Sequence, residues 1–349
     1  MVILANLKSE IDDSNLPRYF ANIWKILQEL EAGELILKLP GGKVFHAKGK
    51  KPGPVGEIEI INEDFFSRLV REGDNGFSEM YLDGWWKTND LLSLLEAILS
   101  NNNTFGIQNL PGTMLVRYYE KLSHWFRTNN KFQAKRNIAY HYDLGNNFYE
   151  KWLDETMTYS SAVFETGKES LSEAQNKKYS IICKSLNLKP GDSVLEIGCG
   201  WGGFAEYAIK NHGVKVTGLT ISKAQHEFSN NRLSKLGLSD NAKIVLRDYR
   251  DETGNYDAIA SIEMFEAVGE RYWPSYFQTI KNCLKAGSKA TLQIITISDE
   301  LFPTYRKNVD FIQKYIFPGG MLPSQLALKE QIDQSGLKKL DSLAFGKSY

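Results

Sequence analysis

The stretch Val194–Glu206, VLEIGCGWGGFAE, constrains this chain more than any other. Apolar Val194, Leu195 and Ile197 run into a turn carrying Gly198, Gly200, Gly202 and Gly203, and a helix-like apolar segment follows. A strand joined to a helix through glycines is where an open α/β sheet presents backbone N–H groups and a helix N-terminus to a ligand. Glycine is needed there because a side chain would hold the ligand away from the backbone. The surrounding pattern agrees. Strands are predicted at Ser193–Ile197, Lys215–Leu219, Lys243–Leu246, Ala258–Ile262 and Lys289–Ile295, with helices at Gly203–Asn211, Lys223–Leu236 and Arg271–Leu284. Short apolar strands alternating with amphipathic helices predict an α/β, doubly wound, mostly parallel sheet covered on both faces. Lys338–Phe345 is a candidate further strand.

Upstream the pattern changes. Apolar residues at 3–4 spacing predict a helix over Pro17–Gly33, and Leu35–Leu39, a Pro-Gly-Gly turn and Val44–Ala47 predict a hairpin. A Gly/Pro/Lys-rich loop, Lys48–Gly56, leads to a strand at Glu57–Ile61. Helices are expected at Phe65–Glu72 and Asp90–Leu99, with an aromatic-rich loop, Tyr81–Trp86, between them. The polar segment Asn101–Gly112 reads as a linker, which divides the chain into a small α+β domain, 1–112, and a larger one, 113–349. Thr113–Arg136 is a predicted helix in which Arg117, Lys121, Arg127, Lys131, Lys135 and Arg136 alternate with aromatics. Such a helix either lies in an anionic membrane interface or docks its aromatics on the next domain.

A chain of 349 residues that is 42% hydrophobic supports a sizeable core. Forty-two basic residues balance forty-two acidic ones, so net charge offers nothing to nucleic acid. Three scattered cysteines, Cys183, Cys199 and Cys283, make neither a disulfide frame nor a metal cluster, which fits a reducing compartment. The four-residue apolar start of MVILANLKSEIDDS is too short for a signal peptide, and no apolar window is long enough to span a bilayer. A cytoplasmic protein, able to lie on a membrane face, is expected.

A dinucleotide site would place an acidic residue after the second strand for the ribose. Here that strand ends in Gly218-Leu-Thr220-Ile-Ser222, without an acid, while Glu196 immediately precedes the glycine turn. This combination suits S-adenosylmethionine, whose ammonium and sulfonium are cations near a strand-end carboxylate. Thr220 and Gln225 offer neutral hydrogen bonds in place of the missing acid.

Five motifs then occur in one order: HYDLGNNFYEKWLDETMTYSSAVFE (His141–Glu165), VLEIGCGWGGFAEYA, GLTISKAQ (Gly218–Gln225), IEMFEAVGERYW (Ile262–Trp273) and YIFPGGMLPS (Tyr315–Ser324). Together they resemble the cyclopropane-fatty-acyl-phospholipid synthases and the related enzymes that modify mycolic acids, and the likeness runs from about residue 35 to Tyr349. The resemblance implies a class I, Rossmann-like methyltransferase domain. It would transfer a methyl group from S-adenosylmethionine to the cis double bond of an unsaturated phospholipid's acyl chain. The alkene is a weak nucleophile, so the work lies in holding it against the methyl in a dry pocket. The resulting carbocation loses a proton from the new methyl, in the family to a bound bicarbonate, and closes a ring.

On the same resemblance, Tyr159, Ser160, Glu196, Gly198, Gly200, Thr220, Ile221, Gln225, Asp248 and Tyr249 contact the cofactor. Glu266 holds the bicarbonate and stabilises positive charge, with Ser161, Gln293, Ile295 and Tyr349 around it. Tyr142 offers a ring face near the substrate. Glu263, three residues before Glu266, is placed to share a helical face with it, and two close carboxylates push one pKa upward. The five histidines form no recognisable site. The apolar loop Ile316–Pro323, with Phe317, Met321 and Leu322, either leads an acyl chain inward or is a core lid.

The departures from the family bear on the product. Ser161 stands where relatives often carry Cys, Gln293 where they often carry His, and Ala267 where many carry His. Branches that resemble this chain in having EAVG and LQ include enzymes that make methylene- or methyl-branched chains, so ring and branch both stay open. Relatives also continue past the Phe345–Tyr349 segment into a Trp-containing helix and a last strand, so a missing C-terminal segment is expected. Two other functions remain: a small-amine N-methyltransferase, and a lipid- or cofactor-binding protein without catalysis. A homodimer is compatible with all of these.

Overall fold

The computed structural model describes residues 16–101, 129–131, 133–134, 136–137 and 145–348. The chain forms two compact units, Met1–Ser123 with Asn308–Phe311 and His124–Lys307 with Ile312–Tyr349. The expected domain boundary at 112/113, most of the linker and most of the basic helix lie outside the described residues, as do Tyr142 and Tyr349.

In the first unit, α1 (Phe20–Leu27) precedes β1 (Ala32–Lys38), β2 (Val44–Lys48) and β3 (Lys51–Ile60). These are followed by α2 (Phe65–Leu82), β4 (Trp86–Lys87) and α3 (Leu91–Leu99). The sheet order is β2-β1-β3-β4, with the expected β1–β2 hairpin antiparallel and β1–β3 parallel. Leu35 and Leu37 of β1 face a core with Phe20, Trp24, Phe45, Ile58, Phe66 and Trp86. The first helix is shorter than its periodicity predicts, because Gly33 belongs to the sheet. There its φ of 73° and the Pro54 carbonyl, 2.2 Å from where a Cβ would stand, leave room only for glycine. The Gly/Pro-rich segment expected as a loop is largely β3. Its pairing with β1 supplies the hydrogen bonds that composition could not foresee. The second helix runs ten residues further than predicted, across a kink at Gly73 (φ 60°), and takes in Tyr81 and Leu82 of the supposed aromatic loop.

The second unit carries five strands: β5 (Ser193–Ile197), β6 (Lys215–Thr220), β7 (Ala242–Leu246), β8 (Tyr256–Ile262) and β9 (Leu284–Gln293). They are parallel throughout and ordered β7-β6-β5-β8-β9. Its longer helices among the described residues are α4 (Leu171–Leu186), α5 (Gly203–His212), α6 (Lys223–Lys235), α7 (Trp273–Cys283) and α8 (Gln325–Ser335). Strand alternation sends successive residues to opposite faces. Val194 and Val216 join Tyr179, Ile182, Phe204 and Ala208 on one side. Leu195, Ile197, Leu219 and Ile259 join Trp273, Tyr276, Phe277 and Ile280 on the other. The predicted doubly wound sheet is therefore present. Connections leave β5 toward β6 on one side and return to β8 on the other, so the glycine turn stands at the switch point of the sheet.

Lys338–Phe345 is not a strand. It runs without ladder pairing among the described residues, with Leu340 and Leu343 67% and 63% exposed. A strand needs a partner edge, and alternating hydrophobicity alone does not provide one. No described helix is long and apolar enough to cross a membrane.

Candidate active site

The glycine turn is shaped by its neighbours. Gly198 has φ 84°, and a Cβ there would stand 2.7 Å from Met264 Cγ. Gly200 has φ 50°, yet a Cβ there would meet no atom within 4 Å. Gly198 thus keeps the turn against the 264 segment, while Gly200 leaves backbone open to a ligand. The N–H groups of Gly198 and Cys199 both bond the Leu219 carbonyl, tying the turn to β6 at 3.0 and 2.9 Å.

Glu196 precedes the turn on β5, between Gly218 and Ala260 of the flanking strands. It is 3% exposed, and its Oε2 has no hydrogen-bond partner. Burial raises its pKa well above the ordinary carboxylate range, opposed by the charge of Lys178. A buried acid with an unmatched oxygen beside an open glycine turn is suited to a cation. After β6, Thr220 donates to Gln225 Oε1 at 2.9 Å and accepts from Ser222 N–H at 3.1 Å, and Thr220 and Gln225 are both buried. Ile221 lies between them, partly exposed. Asp248 caps the turn Tyr249–Asp251 and is held by Arg250 through two side-chain bonds of 2.8 and 2.6 Å. Burial alone would raise its pKa, but the Arg250 hydrogen bonds outweigh that and lower it. Tyr249 is half-buried against Tyr276, edge to face at 5.5 Å.

A second group gathers at the ends of β8 and β9. Glu263 leaves β8 in a left-handed conformation, φ 47°, unusual for any residue but glycine. Its Oε1 accepts from Ser161 N–H at 3.1 Å and from the Gln293 side-chain amide at 2.8 Å. The same amide reaches the Ser161 carbonyl at 3.1 Å. Glu263 and Glu266 therefore do not share a helical face. The chain turns sharply after Glu263, and Glu266 sits on the short turn Phe265–Ala267.

Glu266 Oε1 accepts from Ile295 N–H, while its Oε2 is buried without a partner. Burial first, and the Glu263 charge in addition, push its pKa up to about 8, although the Ile295 N–H pulls the other way. The turn is fixed from behind. Met321 N–H bonds the Glu266 carbonyl at 2.8 Å, and Asn129 Nδ2 donates to the Ala267 carbonyl at 2.8 Å. The loop with Met321 is thus built into the core: Pro318, Gly319, Gly320, Met321 and Pro323 are buried, and Phe317 and Leu322 are half-buried.

Ser161 joins the second group through Glu263 and Gln293, and its neighbour Ser160 leads to a residue that motif reading missed. Lys178 is 1% exposed, and its Nζ donates to Ser160 Oγ at 2.7 Å. Desolvation lowers its pKa to about 7, offset by the charges of Glu263, Asp154 and Glu196. Gln175, one turn earlier, donates to the Ser160 carbonyl at 2.9 Å and keeps a buried Oε1 without a partner. The signal was available: Gln175 and Lys178 fall on the same helical stripe as Leu171 and Ile182, where hydrophobic residues are expected.

Glycine turn, strand-end acid and switch-point sheet together define a class I S-adenosylmethionine-dependent methyltransferase. Residues 129–349 match the family model described as mycolic acid cyclopropane synthetase, and the chain belongs to this family. It is 37% identical over 270 residues to the cyclopropane-fatty-acyl-phospholipid synthase of Escherichia coli, covering 77% of this chain and 67% of that protein. It is 34% identical over 294 residues to the tuberculostearic acid methyltransferase of Mycobacterium tuberculosis, covering 81% and 67%. Among solved structures, a cyclopropane synthase from Mycobacterium tuberculosis aligns with a TM-score of 0.54 at 29% identity, covering 58% of this chain and 74% of that one. A mycolic acid cyclopropane synthase complexed with S-adenosylhomocysteine aligns with a TM-score of 0.53 at 32% identity over the same shares. The chain is an S-adenosylmethionine-dependent C-methyltransferase, and Glu196, Gly200 and the Thr220–Gln225 pair suit that cofactor. Bicarbonate fits less well. The groups the resemblance assigns to it, at Ser161, Gln293 and Ile295, are already hydrogen-bonded to the side chains of Glu263 and Glu266.

Proposed function

We propose that this protein transfers a one-carbon unit from S-adenosylmethionine to the cis double bond of an unsaturated phospholipid acyl chain, working from the cytoplasmic face of a membrane. When bound, the cofactor supplies an electrophilic methyl group. The alkene's π pair forms a bond to that carbon as the S–CH3 bond breaks, which leaves a cation on the neighbouring acyl carbon. Loss of a proton from the new methyl, with its C–H pair forming the third C–C bond, gives a cyclopropane. The carrying observation is the pair of carboxyl groups, Glu263 and Glu266, which follow β8 beside the glycine turn and are held by Gln293 and Ile295 at the end of β9. Negative and polar oxygens there favour a developing cation. Tyr142, outside the described residues, is proposed to lie near the substrate, and Tyr349 near the carboxylates.

A methylene-branched product is a second reading, favoured by Gln293 in place of His, by the EAVG sequence and by the tuberculostearic acid methyltransferase relative. It requires a hydride shift before proton loss. The test is incubation of purified protein with methyl-labelled S-adenosylmethionine and vesicles of monounsaturated phospholipid, followed by mass spectrometry of the fatty acids. One carbon added per modified chain is expected, and the fragmentation pattern separates ring from branch. Label transferred to small amines but not to vesicles refutes the lipid assignment. Cofactor binding with transfer to neither marks a non-catalytic binding protein.

A further inference from the structure

Ring closure and branch formation both release one proton, so a group in the site must accept it. Three carboxyls are candidates. Glu196 belongs to the glycine turn, and Glu266, with a pKa of about 8, stands protonated at neutral pH. Glu263 remains. Among the described residues, the Ser161 N–H and the Gln293 amide donate to its Oε1, as suits a carboxylate acceptor. It also occupies a left-handed backbone position that a glutamate adopts only when its surroundings impose it. Ser161 and Gln293 are among the residues the resemblance places around a bicarbonate ion.

We infer that the Glu263 carboxylate takes the place of bicarbonate as the proton acceptor, so that this enzyme carries its own base and works without the ion. The proton leaves the methyl group for a Glu263 oxygen while its C–H electron pair stays with the product. Glu263 passes the proton to solvent before the next turnover. Lys178 and Gln293 are positioning residues in this scheme. Lys178 orders Ser160 from below, and Gln293 ties the Glu263 carboxylate to Ser161.

This inference rests on the lipid reading, and the experiment separates the two. Methyl transfer to monounsaturated vesicles is measured in carbonate-free buffer under argon, with and without added millimolar bicarbonate. The wild type should work equally well in both. Glu263→Gln keeps the size and the hydrogen bonds but accepts no proton under these conditions. It should lose roughly 100-fold or more, the usual contribution of a general base, with no recovery on adding the ion. Glu263→Gly removes the side chain at a φ that glycine tolerates, so it should lose as much and then recover at least about tenfold with bicarbonate. Unchanged S-adenosylhomocysteine affinity, measured by calorimetry, shows that both variants keep the fold and the cofactor site. Bicarbonate dependence of the wild type, or a Glu263→Gln variant within about threefold of it, overturns the inference while leaving the lipid reading intact. No transfer by the wild type refutes the lipid reading and carries this inference with it.

Discussion

Glu266→Gln tests whether a buried acid is kept at the expense of stability. The carboxyl is ordinarily half-ionised at 4.5, and in the fold its pKa is pushed up to about 8. The folded state therefore holds a proton that the unfolded chain releases. A raised carboxyl pKa leaves stability intact below 4.5 and removes it progressively as pH rises through 8, after which the loss is constant. With 1.36 kcal/mol per pKa unit, the wild type loses about 3 kcal/mol by pH 7 and about 5 kcal/mol by pH 9 relative to a neutral group. Glutamine has no proton to lose, and its Oε1 still accepts from Ile295 N–H. Its amide group meets the same unpartnered surroundings as the protonated Oε2, so that cost cancels in the comparison. Urea unfolding followed by tryptophan fluorescence should find the two proteins equally stable near pH 4.5. The variant should pull ahead by about 3 kcal/mol at pH 7 while most methyl transfer is lost. Parallel stability curves from pH 5 to 9 would refute the argument that Glu266 is strained by burial. Near-full activity would remove it from the chemistry.

Two further perturbations address the cofactor end. Gly200→Ala meets no atom within 4 Å, whereas Gly198→Ala drives a methyl to 2.7 Å from Met264 Cγ. Thermal denaturation should show a loss on the order of 1 kcal/mol for the former, from its left-handed φ, and a larger loss for the latter. Calorimetry should show that Gly200→Ala nonetheless weakens S-adenosylmethionine binding at least about tenfold, and unchanged affinity would place the ligand away from the turn. Glu196→Gln should weaken binding by about 1.5–3 kcal/mol, the range for a hydrogen bond to a charged group, or roughly 10- to 150-fold. Affinity within about threefold of wild type would exclude a cofactor cation at that carboxyl.

Much of the fold was legible because it follows from local pattern. The apolar runs at Val194–Ile197, Lys215–Leu219 and Ala258–Ile262 are short strands buried on both faces, and burial on both faces shows directly in sequence. The glycine turn was legible for the same reason, since backbone geometry confines those positions to one residue type. Where pairing rather than pattern decides, the reading failed: Lys51–Ile60 is a strand because it pairs with β1, and Lys338–Phe345 is none because it pairs with no strand among the described residues. Lys178 escaped notice because a lysine within a helix is ordinarily solvated, and only packing placed its ammonium beneath Ser160. Sequence by itself determined the parallel sheet, the glycine turn at its switch point and the identity of the acids. Tertiary structure alone decided how those acids are held and how far they are buried. Hydrogen-bond geometry and desolvation depend on residues brought together from positions 161, 263, 266, 293 and 295, and no spacing along the chain encodes them.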